Sequence, residues 1–257
     1  MTARMPAVFL GHGSPMNAIE DSAYRRAWAT LAEQIPRPRA ILCISAHWET
    51  PGFAVSAGAR PETIHDFGGF PKALFDVRYA APGDPALAQR VAKLLAPAPV
   101  HMDLERGLDH GAWSVLIAMY PQADIPVVQL SMPLRRPGSF HYDSAKHLAP
   151  LRDEGVLILG TGNIVHNLRL WGSRDERALT TTTRFKDEVK RRIIARDHAA
   201  LADYAKLDPE AALSVPTPEH YLPLLYILAV QGPGEKVTFF NDDGPGGIAM
   251  TSILVGN

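Results

Sequence analysis

The 257-residue chain has a single cysteine, Cys43, so no disulfide can form within it. Cys43 lies in the apolar run Ala40-Ile41-Leu42-Cys43-Ile44-Ser45, where a thiol serves as a small buried side chain, and nothing beside it in sequence would lower its pKa. A surplus of charge is lacking too. Against 26 Lys and Arg stand 27 Asp and Glu, a formal net charge of -1, and no basic block is present, which excludes the electrostatic footprint of a nucleic-acid binder. No run of 18 apolar residues occurs, and no charged segment followed by an apolar stretch opens the chain. Neither a membrane span nor a secretory leader is expected, and a reducing, cytoplasmic setting follows as the default. Internal repeats and low-complexity linkers are absent as well. What remains is a globular composition, 46% hydrophobic and 21% charged, at a length that α/β proteins fill with one domain. Residues 1–257 are therefore expected to form a single domain.

Short apolar runs alternate with helical periodicities. Strands are expected at 7–10, 40–46, 100–104, 126–130 and 156–159, with closing antiparallel strands at 236–240 and 248–254. Tyr24, Ala27, Trp28, Leu31 and Ile35 recur at helical spacing after the capping residues Asp21 and Ser22. Further helices are expected at 86–95, 109–120 and 139–148. Residues 180–205 read as one long helix or a helical pair with a solvated charged face. A last helix starts at Thr217 and Pro218, with His220 in its first turn. Residues 51–84, rich in glycine and proline, read as a long structured loop with at most a short helix near 72–75. The expected fold is α/β, a central mixed, mostly parallel sheet flanked by helices.

Three of the apolar runs break in the same way. The first gives way to Gly11-His12-Gly13-Ser14-Pro15, the second to Ala46-His47-Trp48-Glu49, and the third to Gly160-Thr161-Gly162-Asn163-Ile164-Val165-His166. In a parallel sheet the carboxyl ends of strands line one edge, where ligands bind, so His12 and His47 fall within reach of one ion if their strands are neighbours. Clustered imidazoles suit zinc, iron, copper or nickel and disfavour magnesium or calcium. His12, His47, His166 and His220 are the candidate metal ligands. His101, His141, His147 and His198 have ordinary strand or helix surroundings and are expected to be structural. His65 and His110, each flanked by an aspartate (Asp66, Asp109), are open to acid-base work or to a buried turn contact. His65 and Ser14 are the expected substrate contacts.

Six ordered motifs make the sequence recognisable: Gly11-His12-Gly13-Ser14-Pro15, Ser45-Ala46-His47-Trp48, the stretch 63–71, Asp109-His110-Gly111-Ala112-Trp113, the stretch 162–168, and the stretch 216–225. Together they resemble the class III extradiol ring-cleavage dioxygenases, and within them the 4,5-DOPA extradiol dioxygenase group, nearly end to end. The resemblance implies a mononuclear metal at the edge of a mixed sheet and cleavage of a catechol ring by dioxygen. It makes His12 and His47 metal ligands, His166 an acid/base residue near substrate and metal, and His110 a second catalytic pocket histidine. The wider family has a glutamate as third ligand where this chain, like the 4,5-DOPA group, has His220. That exchange removes a negative charge from the metal and strengthens zinc as a competitor of iron. The expected cofactor is one divalent transition metal, Fe(II) for turnover or Zn(II) as bound, with His166 as a fourth ligand in the zinc form or as the acid/base residue in the iron form.

The expected partners are a small catechol and O2, with no nucleic acid and no membrane. A substrate carboxylate would be met by an arginine or lysine, Arg135 and Arg169 being two candidates. Two other classes use the same imidazoles: a zinc-dependent hydrolase with a metal-bound hydroxide, and a non-catalytic metal-binding protein on the same fold. Oxygen consumption separates a dioxygenase from a hydrolase.

Overall fold

The computed structural model describes residues 4–256. In chain order its strands are β1 (Ala7–Gly11), β2 (Ala40–Ser45), β3 (Glu49–Thr50), β4 (Phe53–Ser56), β5 (Val100–Asp103), β6 (Val127–Gln129), β7 (Met132–Pro133), β8 (Val156–Gly162), β9 (Lys236–Phe240) and β10 (Ser252–Gly256). The helices are α1 (Ala23–Gln34), α2 (Lys72–Phe75), α3 (Pro85–Leu95), α4 (His110–Met119), α5 (Gly138–Lys146), α6 (Pro150–Asp153), α7 (Glu176–Ile194), α8 (His198–Ala202), α9 (Ala211–Ser214) and α10 (Leu222–Ala229). Six strands form the central sheet in the order β6-β2-β8-β1-β10-β9. β6, β2, β8 and β1 run parallel, and β10 is antiparallel to both β1 and β9. The fold is thus the expected α/β arrangement of a mixed, mostly parallel sheet between helices.

Every residue of β1, β2 and β8 is buried, as strands covered on both faces require. Their side chains alternate between two cores. Val8, Leu10, Ile41, Cys43, Leu157 and Leu159 pack with Trp28 and Leu31 of α1 and with Trp113 and Leu116 of α4. Phe9, Leu42, Ile44 and Ile158 face the other way, onto Val91 of α3, Phe185 and Val189 of α7, and Leu224 and Ile227 of α10. Burying one such side chain contributes about 1.5–3 kcal/mol. Burial pushes the Cys43 thiol well above its ordinary pKa, so it stays a protonated core residue. No helix among the described residues is long and apolar enough to cross a membrane.

Several elements depart from the pattern read in the sequence. The segment 51–84 contains β4, four buried residues (Phe53-Ala54-Val55-Ser56) paired in parallel with β5. A run so short, set among glycines and prolines, has no periodicity to distinguish it from loop. β8 continues three residues beyond Leu159, through Gly160-Thr161-Gly162, because its neighbours on both sides supply ladder partners. The closing strand begins at Ser252 instead of 248, since Ile248 and Ala249 pair across to His166 and Val165. The long charged segment is a pair, as one alternative had it: α7 starts earlier, capped by Asp175, and ends before Arg196, which adopts a positive φ of 56°. The last helix starts at Leu222, so His220 precedes it in a turn, and Thr217 donates to Glu219 Oε1 instead of capping.

His141, expected to be structural, projects from α5 onto α10, with Nδ1 3.0 Å from Tyr226 Oη and Nε2 unpartnered. Burial lowers its pKa to about 4. Its neutral form is thus favoured by folding, so the stability it contributes is complete above the unfolded-state value near 6.5 and is lost as pH falls toward and through 4, by about 3 kcal/mol at most. Denaturant unfolding at pH 7 and pH 4 checks this. His141→Gln should lower stability at pH 7 yet flatten the fall, whereas an unchanged pH dependence in that variant would contradict it.

Candidate active site

The sheet edge sets the site. Parallel pairing places Gly11 opposite Gly162 and Ser45 opposite Thr161, so β1, β8 and β2 end at one level. The chain just beyond them stays in register, with His12 N–H donating to the Gly162 carbonyl at 3.1 Å and Ala46 N–H to the Thr161 carbonyl at 3.0 Å. The strands that carry His12 and His47 are not neighbours, because β8 lies between them. Their rings nevertheless meet beyond the end of β8, with the Nε2 atoms 3.2 Å apart.

The third imidazole depends on glycine. A Cβ at Gly162 would stand 2.1 Å from the His220 carbonyl oxygen, and one at Gly160 would stand 2.8 Å from that of Pro223. Their absence lets the turn before α10 settle on the strand end, where Asn163 N–H donates to the His220 carbonyl at 2.8 Å. His12, His47 and His220 each then offer a nitrogen within 4.8 Å of the others.

The donor set fits one transition metal. Two nitrogens bound at 2.0–2.1 Å to a tetrahedral ion stand about 3.3 Å apart, and the His12–His47 separation is 3.2 Å. Burial, reinforced by the surrounding histidines, holds His12 and His47 well below the usual imidazole pKa, so both are neutral donors. His12 Nδ1 is buried without a hydrogen-bond partner. His220 Nδ1 lies 3.1 Å from Glu219 Oε1. Burial raises the Glu219 pKa, but the bonds from His220 and Thr217 outweigh it and hold the carboxyl at about 2. An ionised carboxylate only accepts, so His220 Nδ1 carries the proton and Nε2 keeps its lone pair for an ion.

His110 opens α4, whose N-cap is the fully buried Asp109. The Asp109 carboxylate accepts from Ser45 Oγ at 2.6 Å, Gln129 Nε2 at 2.8 Å and Arg106 Nη2 at 2.9 Å, which ties the end of β2 to the start of α4. Gly111 allows the contact, since a Cβ there would stand 2.8 Å from His47 Cδ2. Asp66 Oδ1 accepts from both the backbone N–H and Nδ1 of His110 at 2.9 Å, and although burial raises its pKa these bonds outweigh it and hold the carboxyl at about 2. The second ring nitrogen of His110 is thus free for the cavity.

His166 does not join the trio. Its ring stacks on His220 at 3.4 Å and 3°, and its nitrogens group with Glu219 and His220 instead of with His12 and His47. A cavity of about 430 Å³ opens over these groups, lined by His12, Gly13, Ser14, Pro15, His47, Phe67, Phe70, His110, His166, Leu168, Trp171, His220 and Ile248. That volume suits a small organic ligand. Ser14 thus lines the cavity, while its Oγ also accepts from Met16 N–H. His65 is not on the lining: its Nε2 lies 3.1 Å from the Val77 carbonyl, and its ring packs against Phe67 and Trp113. Neither Arg135 nor Arg169 lines the cavity, which has no arginine or lysine.

Sequence reasoning did not place Asp66 and Glu219 in the site. Each stands next to a histidine in sequence, which is the one signal that could have found them, but Asp66 serves His110, 44 residues away, and not its neighbour His65.

Residues 6–248 match the family described as the catalytic LigB subunit of aromatic ring-opening dioxygenase. The chain is 49% identical to a 4,5-DOPA dioxygenase extradiol of Escherichia coli K12, with 99% of this chain and 96% of that protein covered. It is 39% identical to a 4,5-DOPA dioxygenase extradiol of Beta vulgaris, with 93% and 92% covered. A crystal structure of an uncharacterized protein from Escherichia coli K12 superposes with a TM-score of 0.85 at 43% identity, covering 98% of this chain and all of that one.

Removing the carboxylate behind His220 should weaken metal binding without unfolding the protein. Glu219→Gln is expected to raise the metal dissociation constant about 10–100-fold, read by competition with a chromophoric chelator. Gly162→Ala should do at least as much by displacing the turn that bears His220. Wild-type affinity in both would contradict this construction of the site.

Proposed function

The chain belongs to the family of the catalytic LigB subunit of aromatic ring-opening dioxygenases, and from that membership we propose that it opens the ring of a DOPA-like catechol at one metal ion held by His12, His47 and His220. The extradiol dioxygenase activity itself follows from the family and from the relatives matched along nearly the whole chain. With it the hydrolase and non-catalytic alternatives fall away. The observation that supports the detailed reading is the meeting of three neutral imidazoles on the floor of a largely apolar cavity.

Held by His12, His47 and His220, a divalent transition metal would bring the catechol and dioxygen together and supply the one-electron chemistry that neither has alone. The three neutral imidazoles would leave the ion its full charge, and as a nitrogen donor set they fit Fe(II) for turnover and Zn(II) as a competitor. The chain's own residues handle protons and position. Burial, then the adjacent His220 ring, lowers the His166 pKa to about 3, so it stands as a neutral imidazole with a lone pair to receive a hydrogen bond from a catechol hydroxyl. Glu219, ionised beside it, offsets part of that lowering and favours the proton on His166 when the catechol gives one up. His110, fixed through Nδ1 by Asp66, presents its other nitrogen to a substrate hydroxyl. Phe67 and Phe70 wall the cavity and keep water from the reacting ring.

Anaerobic reconstitution with Fe(II), followed by DOPA, caffeate and protocatechuate in air, tests the function. The yellow absorbance of a ring-opened semialdehyde with uptake of O2 is expected, and its absence with every catechol would contradict the proposal. His12→Ala and His47→Ala should lose metal on dialysis, whereas His166→Ala should keep most of it and lose turnover by ~10²–10⁴-fold. Metal loss in His166→Ala as complete as in His12→Ala would place His166 among the obligatory ligands.

A further inference from the structure

Two large apolar side chains stand exposed at the mouth of the cavity. Leu168 is 64% and Trp171 48% exposed, and both belong to the lining. They are carried by a 3-10 turn, Leu168–Leu170, and the residue that follows it. The turn is held from several sides: Asn167 Oδ1 accepts from Arg169 N–H at 3.1 Å, Asn167 Nδ2 donates to the Leu213 carbonyl at 2.9 Å, and Asn167 N–H donates to the Gly247 carbonyl at 2.7 Å. Gly247, with φ of 85°, passes so close beneath that a Cβ would stand 2.7 Å from Leu170 Cβ. The two side chains therefore project into water from a fixed mount, an arrangement that marks a surface awaiting an apolar partner. Phe67 and Phe70 line the same cavity, no lining residue is cationic, and the carboxylates of Asp66 and Glu219 stand behind the histidines.

We infer that Leu168 and Trp171 are specificity-determining residues: they cover the carbon chain next to the ring of a bound catechol and favour an alkyl-linked substituent over a carboxylate attached directly to the ring. This deepens the proposed function and rests on its catechol reading. Covering an alkyl substituent removes both its own surface and that of the two side chains from water. A ring carboxylate gains no partner there and loses hydration.

Calorimetric titration of the zinc-loaded protein under argon reads affinity without turnover, using catechol, 4-methylcatechol, 4-propylcatechol and protocatechuate. In the wild type, 4-propylcatechol should bind about 10-fold more tightly than catechol, and protocatechuate more weakly than 4-methylcatechol. Trp171 is the exposed one of the four tryptophans, so tryptophan emission should shift to the blue on binding. In Leu168→Ala and Trp171→Ala the gain from the propyl group, taken relative to each variant's own affinity for catechol, should shrink to roughly threefold or less. Leu168→Arg should improve protocatechuate binding. An undiminished propyl gain in both alanine variants, or tighter wild-type binding of protocatechuate than of 4-methylcatechol, overturns the inference. Failure of every catechol to bind overturns the catechol reading itself and the inference with it, an outcome distinct from binding without discrimination.

Discussion

Three imidazoles must be brought together, uncharged and mostly out of water, at the end of a parallel sheet, and the rest of the site is arranged around that constraint. Protonating any of them would set cations beside one another in a poorly solvated place, and burial with mutual repulsion keeps His12 and His47 neutral. Neutral rings have lone pairs to offer, which is what a metal requires. The sheet supplies the alignment, since the ends of β1, β8 and β2 are fixed by one hydrogen-bonded register. The glycines of β8 supply the space, because a side chain at Gly162 would occupy the volume taken by the His220 carbonyl.

Carboxylates do the remaining orientation. Glu219 holds His220 and Asp66 holds His110, each through Nδ1 and each ionised, so both rings have one tautomer and present the opposite nitrogen. The glutamate ligand that the resemblance sets against His220 has a partial counterpart: the ionised carboxylate of Glu219 stands behind the His220 ring. Asp109 plays a comparable part for the backbone, joining the end of β2 to the first turn of α4, so that His47 and His110 are positioned by one buried network.

The middle of the fold was legible in the sequence because β1, β2 and β8 are continuous apolar runs that stop at glycine or serine, and α1 and α3 carry a clear helical period. The histidines were legible because they follow those stops. The order of the strands was not, since nothing local states that β8 inserts between β1 and β2. β4 was missed because four residues are too few to show a period, and the start of α10 because Thr217 and Pro218 offer capping chemistry that the chain spends on Glu219 instead. Asp66 and the placement of His65 away from the cavity were invisible for a common reason: both depend on which distant element the loop 57–84 folds against, and no spacing within the loop encodes that.

We propose that one ion sits on His12, His47 and His220, with His166 close by but unbound. Anomalous diffraction from crystals of the metal-loaded protein tests it directly. One metal peak per chain is expected, bonded to a nitrogen of each of those three histidines at about 2.0–2.1 Å. A peak on His166 and Glu219, or on Asp66 and His110, with His12 uncoordinated would contradict it.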